Sequence, residues 1–95
     1  MIPHLETFLA FARQLEGEAL QTLWRKQTFY VAVIGQNLEF TPASSRVSRD
    51  ERHDQVAAIL QRLAQTGSFR TSDYADLSFN ASYVLTLVKY WQAIK

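Results

Sequence analysis

The first quarter of the chain repeats apolar residues at helical spacing. Leucine, phenylalanine and alanine recur every three or four positions from Leu5 to Leu15 and again from Ala19 to Trp24, which places them on one face of a helix. Pro3 suits a first helical turn, whereas Gly17 in a helix interior costs about 1 kcal/mol. The pattern predicts a helix from about Pro3 to Trp24 that bends or divides at Gly17.

The pattern then changes to that of strands. Thr28–Ile34 is rich in β-branched and aromatic residues, which favour strands. Gly35–Asn37 has the composition of a turn, and Leu38–Thr41 alternates apolar with polar residues before Pro42. We therefore predict a β-hairpin. Because the first strand is apolar on both faces, we expect both of its faces to be covered.

A second long helix is predicted from Arg49 to Gln65, after a loop at residues 42–47. Ser48–Glu51 fits the S-x-x-E capping box, which marks helix N-termini. Gly67 is placed as a C-terminal glycine. The apolar residues of this helix fall on one face and are Val56, Ile59, Leu60 and Leu63.

Two more helices are predicted towards the C-terminal end. Thr71 or Ser72 caps a short one through Asp73–Leu77, and Asn80 caps a longer one, Ala81 to about Ile94. The 95 residues are therefore expected to form a single α+β domain. The predicted order is an N-terminal helix, a β-hairpin and three C-terminal helices.

The last predicted helix is apolar around most of its circumference. Such a helix is buried on more than one side, and in so short a chain we expect the second cover to be another subunit. The leading hypothesis is therefore a non-enzymatic protein that self-associates, as a dimer, through this helix. The predicted interface residues are Tyr83, Leu87, Tyr90, Trp91 and Ile94.

An alternative hypothesis is DNA binding, because the last three predicted helices follow the order of a helix-turn-helix. The hydroxyl- and arginine-rich loop before the second long helix suits an anion as well. The predicted contacts with DNA or an anion are Ser45, Arg46, Arg49, Arg52, Arg70, Ser82, Thr86 and Lys89. A single lysine on the polar face of the last helix, and a net charge of +1, argue against this alternative.

Composition narrows the remaining function classes. With 47% hydrophobic and 20% charged residues the chain is globular, and with no cysteine it has no disulfide and no cysteine-bound zinc. No hydrolase, metalloprotease or phosphate-loop motif occurs, so we expect no enzyme, no cofactor and no metal site. Twelve aromatic residues are enough to line a pocket, which makes small-ligand binding a third hypothesis.

The sequence also predicts no membrane span and no signal peptide. The longest apolar run, Phe29–Ile34, is far shorter than the ~20 residues needed to cross a bilayer. The residues Met1–Glu6 lack the basic start of a signal peptide. We therefore expect a cytoplasmic protein with no membrane partner.

Three short segments of the second half carry a family resemblance. They are Phe40–Arg46, Ser72–Tyr74 and Asn80–Leu85, with an arginine-bearing helix after the first. Over residues 28–92 this arrangement is similar to small uncharacterised bacterial proteins encoded on mobile (integron) gene cassettes. The resemblance implies a small, stand-alone, cytoplasmic bacterial protein that is often oligomeric. It implies no activity and no catalytic residues.

Overall fold

The computed structural model describes residues 1–94, which form three α-helices, a short 3-10 helix and four β-strands. In chain order these are α1 (Leu5–Gln14), β1 (Leu20–Gln21), β2 (Thr28–Ile34), β3 (Asn37–Pro42), β4 (Arg49–Glu51), α2 (His53–Thr66), the 3-10 helix (Thr71–Tyr74) and α3 (Ala81–Ala93). The fold is thus mixed α+β, as the sequence predicts, but it contains two strands that the predicted order lacks.

The four strands form an antiparallel meander in the order β1-β2-β3-β4. The centre of this sheet is the β2–β3 hairpin, which pairs from Phe29 opposite Pro42 to Ile34 opposite Asn37. Gly35 opens the connecting turn with a φ of +65°, a conformation that glycine adopts without steric penalty. The predicted hairpin is confirmed.

Only one face of the hairpin is covered. Phe29 and Val31 of β2 are buried against the helices, while the alternate residues Tyr30 and Ile34 are 39% and 59% exposed. The expectation that both faces of this strand would be covered is therefore wrong. The outward residues lie on the solvent side of an antiparallel sheet, an arrangement that such sheets commonly adopt.

The first helix ends earlier than its periodicity predicts. α1 stops at Gln14, and Gly17 adopts a left-handed φ of +84°. The chain then forms β1, where buried Leu20 pairs with Phe29 of β2. The predicted helix is wrong beyond Gln14 because residues 20–21 take their backbone partners from the sheet edge instead.

The predicted start of the second helix is also wrong. Arg49–Glu51 forms β4, an edge strand that pairs with β3 through Arg49 opposite Phe40 and Glu51 opposite Leu38. The predicted capping box at Ser48 therefore does not exist. A short segment of polar residues at the free edge of β3 gains more backbone hydrogen bonds as a strand than as a helix end.

The observed N-terminus of α2 lies four residues later. The backbone N–H of His53 donates to Asn37 Oδ1 (3.0 Å), and that of Arg52 donates to Gln55 Oε1 (3.3 Å). Asn37 reaches this helix end from β3, a contact that no local pattern indicates. The predicted end of the helix is confirmed, since Gly67 adopts a left-handed φ of +69°.

The C-terminal helices follow the prediction more closely. The short one is a 3-10 helix of four residues that ends at Tyr74 rather than Leu77, and α3 begins after Asn80. The Asn80 side chain does not cap α3; its Nδ2 donates to the carbonyl of Asp50 (3.3 Å). Within residues 1–94, no helix has the length and apolar character needed to cross a membrane.

Candidate functional site

The predicted subunit interface falls largely inside the chain's own core. Tyr83, Leu87 and Trp91 are buried, and half-buried Tyr90 accepts a hydrogen bond from the backbone N–H of Gln21 (3.2 Å). The second cover that we assigned to another subunit is supplied by the sheet and the other helices. Of the five predicted interface residues, Ile94 is exposed, at 66%.

The packing of α3 also covers one of the predicted contacts with DNA. Thr86 is fully buried; its hydroxyl donates to the carbonyl of Ser82 (2.7 Å) and accepts from the backbone N–H of Leu23 (3.3 Å). A recognition helix needs an exposed polar face that enters a DNA groove. On α3, Thr86 therefore does not contribute to such a face, whereas Ser82 is half-buried and Lys89 is exposed.

An open pocket of about 400 Å³ lies where three connections meet. They are the β1–β2 connection, the β3–β4 connection and the segment that leads from the 3-10 helix into α3. The residues that line the pocket are Thr22, Trp24, Arg25, Gln27, Pro42, Ser44, Ser45, Arg49, Thr71, Phe79, Ser82 and Tyr83. None of these described residues is acidic.

The β1–β2 connection is a closed loop that presents Trp24 and Arg25 at its tip. Thr22 closes the loop twice: its backbone N–H donates to the carbonyl of Gln27 (3.0 Å), and its hydroxyl accepts from the N–H of Gln27 (3.1 Å). Lys26 adopts a left-handed φ of +54° to complete the turn. The backbone therefore fixes where both side chains enter the pocket.

The β3–β4 connection and the start of β4 bring Ser45 and Arg49 to the same pocket. The N–H of Arg46 donates to the carbonyl of Pro42 (2.8 Å), with Arg46 in a left-handed conformation (φ +57°). Because Arg49 pairs with Phe40, both side chains lie on the same face of the sheet. This is the face that packs on α3, so the Arg49 guanidinium lies at its border beside the pocket.

Arg25 and Arg49 bring two positive charges to this pocket without a compensating negative charge. Both side chains are exposed, and neither has an ion pair or side-chain hydrogen bond with any residue from 1 to 94. The contrast is Arg62, which forms a paired contact with the Asp76 carboxylate (2.6 and 3.1 Å) and thereby holds the pKa of that carboxyl below its usual value. The pocket arginines keep their donors available to a ligand.

Two shallower depressions adjoin the pocket. One shares Trp24 and Thr71 with it and adds Phe69 and Arg70. The ammonium group of Lys89 lies 4.2 Å from the centre of the Phe69 ring, a cation–π contact that orients the lysine. The basic surface thus continues from the pocket along the 3-10 helix.

The other depression shares Thr22 with the pocket and is lined by Lys26, Lys89 and Tyr90 among others. As in the pocket, no acidic residue of the described chain lines either depression. We refer to the pocket and the two depressions together as the basic groove.

Five of the eight predicted contact residues meet in this groove. Ser45, Arg49 and Ser82 line the pocket itself, Arg70 lines one adjoining depression, and Lys89 lines the other. These residues come from the β3–β4 connection, β4, the residue before the 3-10 helix and α3, and the structure brings them to one surface.

The other three predicted contacts lie elsewhere. Arg46 is exposed in the β3–β4 connection but does not line the groove. Arg52 stands at the N-terminus of α2 beside Asp54 (3.5 Å), and Thr86 is buried.

Sequence reasoning missed Trp24, Arg25 and Phe79. The predicted first helix ends at Trp24 and Arg25 follows it, an interpretation that gives no sign that both residues lie at the tip of a loop. Phe79 is one of twelve aromatic residues that the sequence does not distinguish, yet it is 95% exposed, and Trp24 is 51% exposed. The one local signal was the run of an aromatic and two cations at residues 24–26.

A second polar cluster surrounds Glu51, which is only 1% exposed. The hydroxyl of Ser78 donates to the Glu51 carboxylate and accepts from the backbone N–H of Asn80 (2.9 Å). Burial raises the pKa of Glu51. These contacts connect β4 with the segment that begins α3, so the role of the cluster is structural. No group of three metal-ligating side chains occurs within residues 1–94.

Comparison with known proteins adds no relative: no protein-family model, curated protein or solved structure matches the chain. The resemblance to integron-cassette proteins therefore stays a prediction. The function has to be argued from the basic groove.

Proposed function

We propose that this protein binds a phosphate-bearing ligand in the pocket between Arg25 and Arg49. The observation that carries the proposal is one pocket with two guanidinium groups that have no partner among residues 1–94, and with no acidic residue of that range in its lining. A guanidinium presents its N–H donors in a planar fork that matches phosphate oxygens. Two such groups that line one pocket can both donate to the same anion.

Hydroxyl groups extend this donor set. Ser44 and Ser45 line the wall that carries Arg49, and Thr71 and Ser82 line the side towards α3. Ser82 lies in the first turn of α3, where the helix dipole favours negative charge. Neutral donors of this kind share the remaining phosphate oxygens without adding charge.

Two exposed aromatic rings suit a ligand that carries a flat ring as well as a phosphate. Trp24 and Phe79 both line the pocket and both are largely exposed. An aromatic side chain offers a face on which a base can stack, in addition to apolar contact area. A nucleotide therefore matches the pocket better than inorganic phosphate alone does.

Binding is a better reading of this pocket than catalysis. Its described lining offers arginines, hydroxyls and aromatic rings, and none of these lining residues is a histidine, carboxylate or lysine able to serve as a general base. A serine hydroxyl without such a partner is a weak nucleophile. We accordingly propose a ligand-binding protein, the third of the hypotheses drawn from the sequence.

Titration of the full chain with pyrophosphate and with ADP tests this proposal. Tryptophan fluorescence reports on the pocket because Trp24 lines it, whereas Trp91 is buried in the core. A hydrogen bond to a charged group contributes about 1.5–3 kcal/mol, so Arg25→Ala and Arg49→Ala should each weaken binding by about 10- to 100-fold.

Arg13→Ala is the matched control. It removes the same charge from an exposed site whose guanidinium donates to the Gly35 carbonyl (3.1 Å), at the other end of the sheet. Binding should survive in this variant. If neither anion binds at low salt, or if Arg13→Ala weakens binding as much as the pocket variants do, the proposal is wrong.

A further inference from the structure

The basic groove extends well beyond one phosphate site. We infer that its ligand is a single-stranded nucleic acid, whose phosphates follow the basic side chains and whose bases stack on Trp24 and Phe79. This inference rests on the proposed function and names the ligand class for the same site.

The basic groove is lined by positive and not by negative side chains. Five of the ten lysines and arginines line the groove, whereas none of the nine aspartates and glutamates does so. The net charge of +1 hides this asymmetry, because the acidic residues lie on other parts of the molecule. A concave surface with one sign of charge concentrates the potential that attracts a polyanion.

The cations are distributed over three adjoining surfaces rather than gathered at one point. Arg25 and Arg49 line the pocket, Arg70 lines one adjoining depression, and Lys89 lines the other, with its ammonium also over the Phe69 ring of the Arg70 depression. The adjoining depressions have volumes of about 560 and 280 Å³, in addition to about 400 Å³ for the pocket. We therefore expect a ligand that carries more than one phosphate.

Two exposed rings line the same surface as these charges. Trp24 lines both the pocket and the depression that holds Arg70, and Phe79, with 95% of its side chain exposed, lines the pocket. Large aromatic side chains interleaved with arginines are typical of sites that bind single strands, because unstacked bases pack on the rings. Phe69 differs, since the Lys89 ammonium already lies over its ring.

A duplex fits this surface poorly. Reading a duplex requires an exposed helix or strand pair that enters the major groove, and the helix beside the basic groove, α3, is largely buried. The groove is concave, and its rings can stack on bases only when those bases are unpaired. The exposed rings therefore favour a single strand over a duplex.

Fluorescence anisotropy with labelled oligo(dT) and oligo(U) tests the inference. Strands of about ten nucleotides fall within the range of ~4–16 that one small domain covers. Phe79→Ala and Trp24→Ala should each weaken binding by about 5- to 100-fold. Arg49→Ala should flatten the dependence of log affinity on log salt by about 0.7 unit.

Tyr30→Ala is the matched aromatic control, because Tyr30 is exposed on the outer face of the sheet. Single-strand binding that survives in this variant, and that exceeds binding to a duplex of equal length, supports the inference. Duplex binding of equal or greater strength overturns it. So does ADP binding as tight as that of the oligonucleotides.

The two proposals fail in different ways. If pyrophosphate and ADP bind and depend on Arg25, but no oligonucleotide binds more tightly than ADP, the phosphate pocket stands and the single-strand inference is wrong. If neither the small anions nor the oligonucleotides bind, both are wrong.

Discussion

At the scale of single residues, Glu51 shows how burial sets a charge state. Its carboxylate is enclosed between β4 and the start of α3, and desolvation raises its pKa above the usual value of 4.5. The folded protein therefore binds this proton more tightly than the unfolded chain does. Between the two pKa values, the contribution of Glu51 to the free energy of unfolding decreases as pH rises.

Glu51→Gln should remove this part of the pH dependence. Glutamine keeps an oxygen that accepts from the Ser78 hydroxyl, but it carries no titrating charge. Urea unfolding of both proteins from pH 4 to pH 7 measures the effect. The stability of the variant relative to the wild type should increase as pH rises through the folded pKa of Glu51. A difference that stays constant across this range contradicts the prediction.

At the scale of elements, α3 is the helix around which the core is built. Leu87 is fully buried on it, in the same cluster as Phe29 and Val56. We expect Leu87→Ala to lower the free energy of unfolding by about 2–5 kcal/mol, because it leaves a cavity in the core. Ile94→Ala, at an exposed position, should change it by less than about 0.5 kcal/mol.

Light scattering on the same variants distinguishes a core position from an interface position. If Leu87 belongs to the core, Leu87→Ala lowers the free energy of unfolding whether the wild-type protein is a monomer or a dimer. A Leu87→Ala variant of unchanged stability that dissociates from a dimer to a monomer would restore the interface hypothesis drawn from the sequence.

At the scale of the whole molecule, the placement of charge matters more than its sum. A negative charge added inside the basic groove should weaken anion binding, because two charges about 4 Å apart interact by ~1–4 kcal/mol in water or near a protein surface. Ser44→Glu should therefore reduce affinity for pyrophosphate by roughly fivefold or more. Thr7→Glu alters the net charge equally on α1, away from the groove, and should leave affinity nearly unchanged. Equal losses in the two titrations would mean that net charge alone governs binding.

The sequence predicts part of the candidate site, and the residues that it misses are brought there by contacts between distant segments. Ser45 and Arg49 stand out locally as part of a hydroxyl- and arginine-rich loop, whatever the fold around them. Arg25 and Trp24 join them only because residues 20–21 pair with β2 and turn the following loop towards β4. Thr86 is not part of the site, because its position on α3 is buried although its side chain is polar.

The sequence by itself determined those elements whose start, end or turn depends on residues close together in the chain. The hairpin around Gly35, the C-terminus of α2 at Gly67 and the extent of α3 all follow from turn glycines and from the period of apolar residues. Backbone conformation at these places depends on neighbours close in the chain.

Tertiary structure decided which short segments become strands and which surfaces stay open. Leu20 pairs with Phe29 and Arg49 pairs with Phe40, so β1 and β4 exist only because the hairpin offers them free edges. The same packing covers α3 and leaves Phe79 in solvent. Hydrogen bonding between strands and burial of side chains depend on residues that lie apart in the chain, and local periodicity does not report on those contacts.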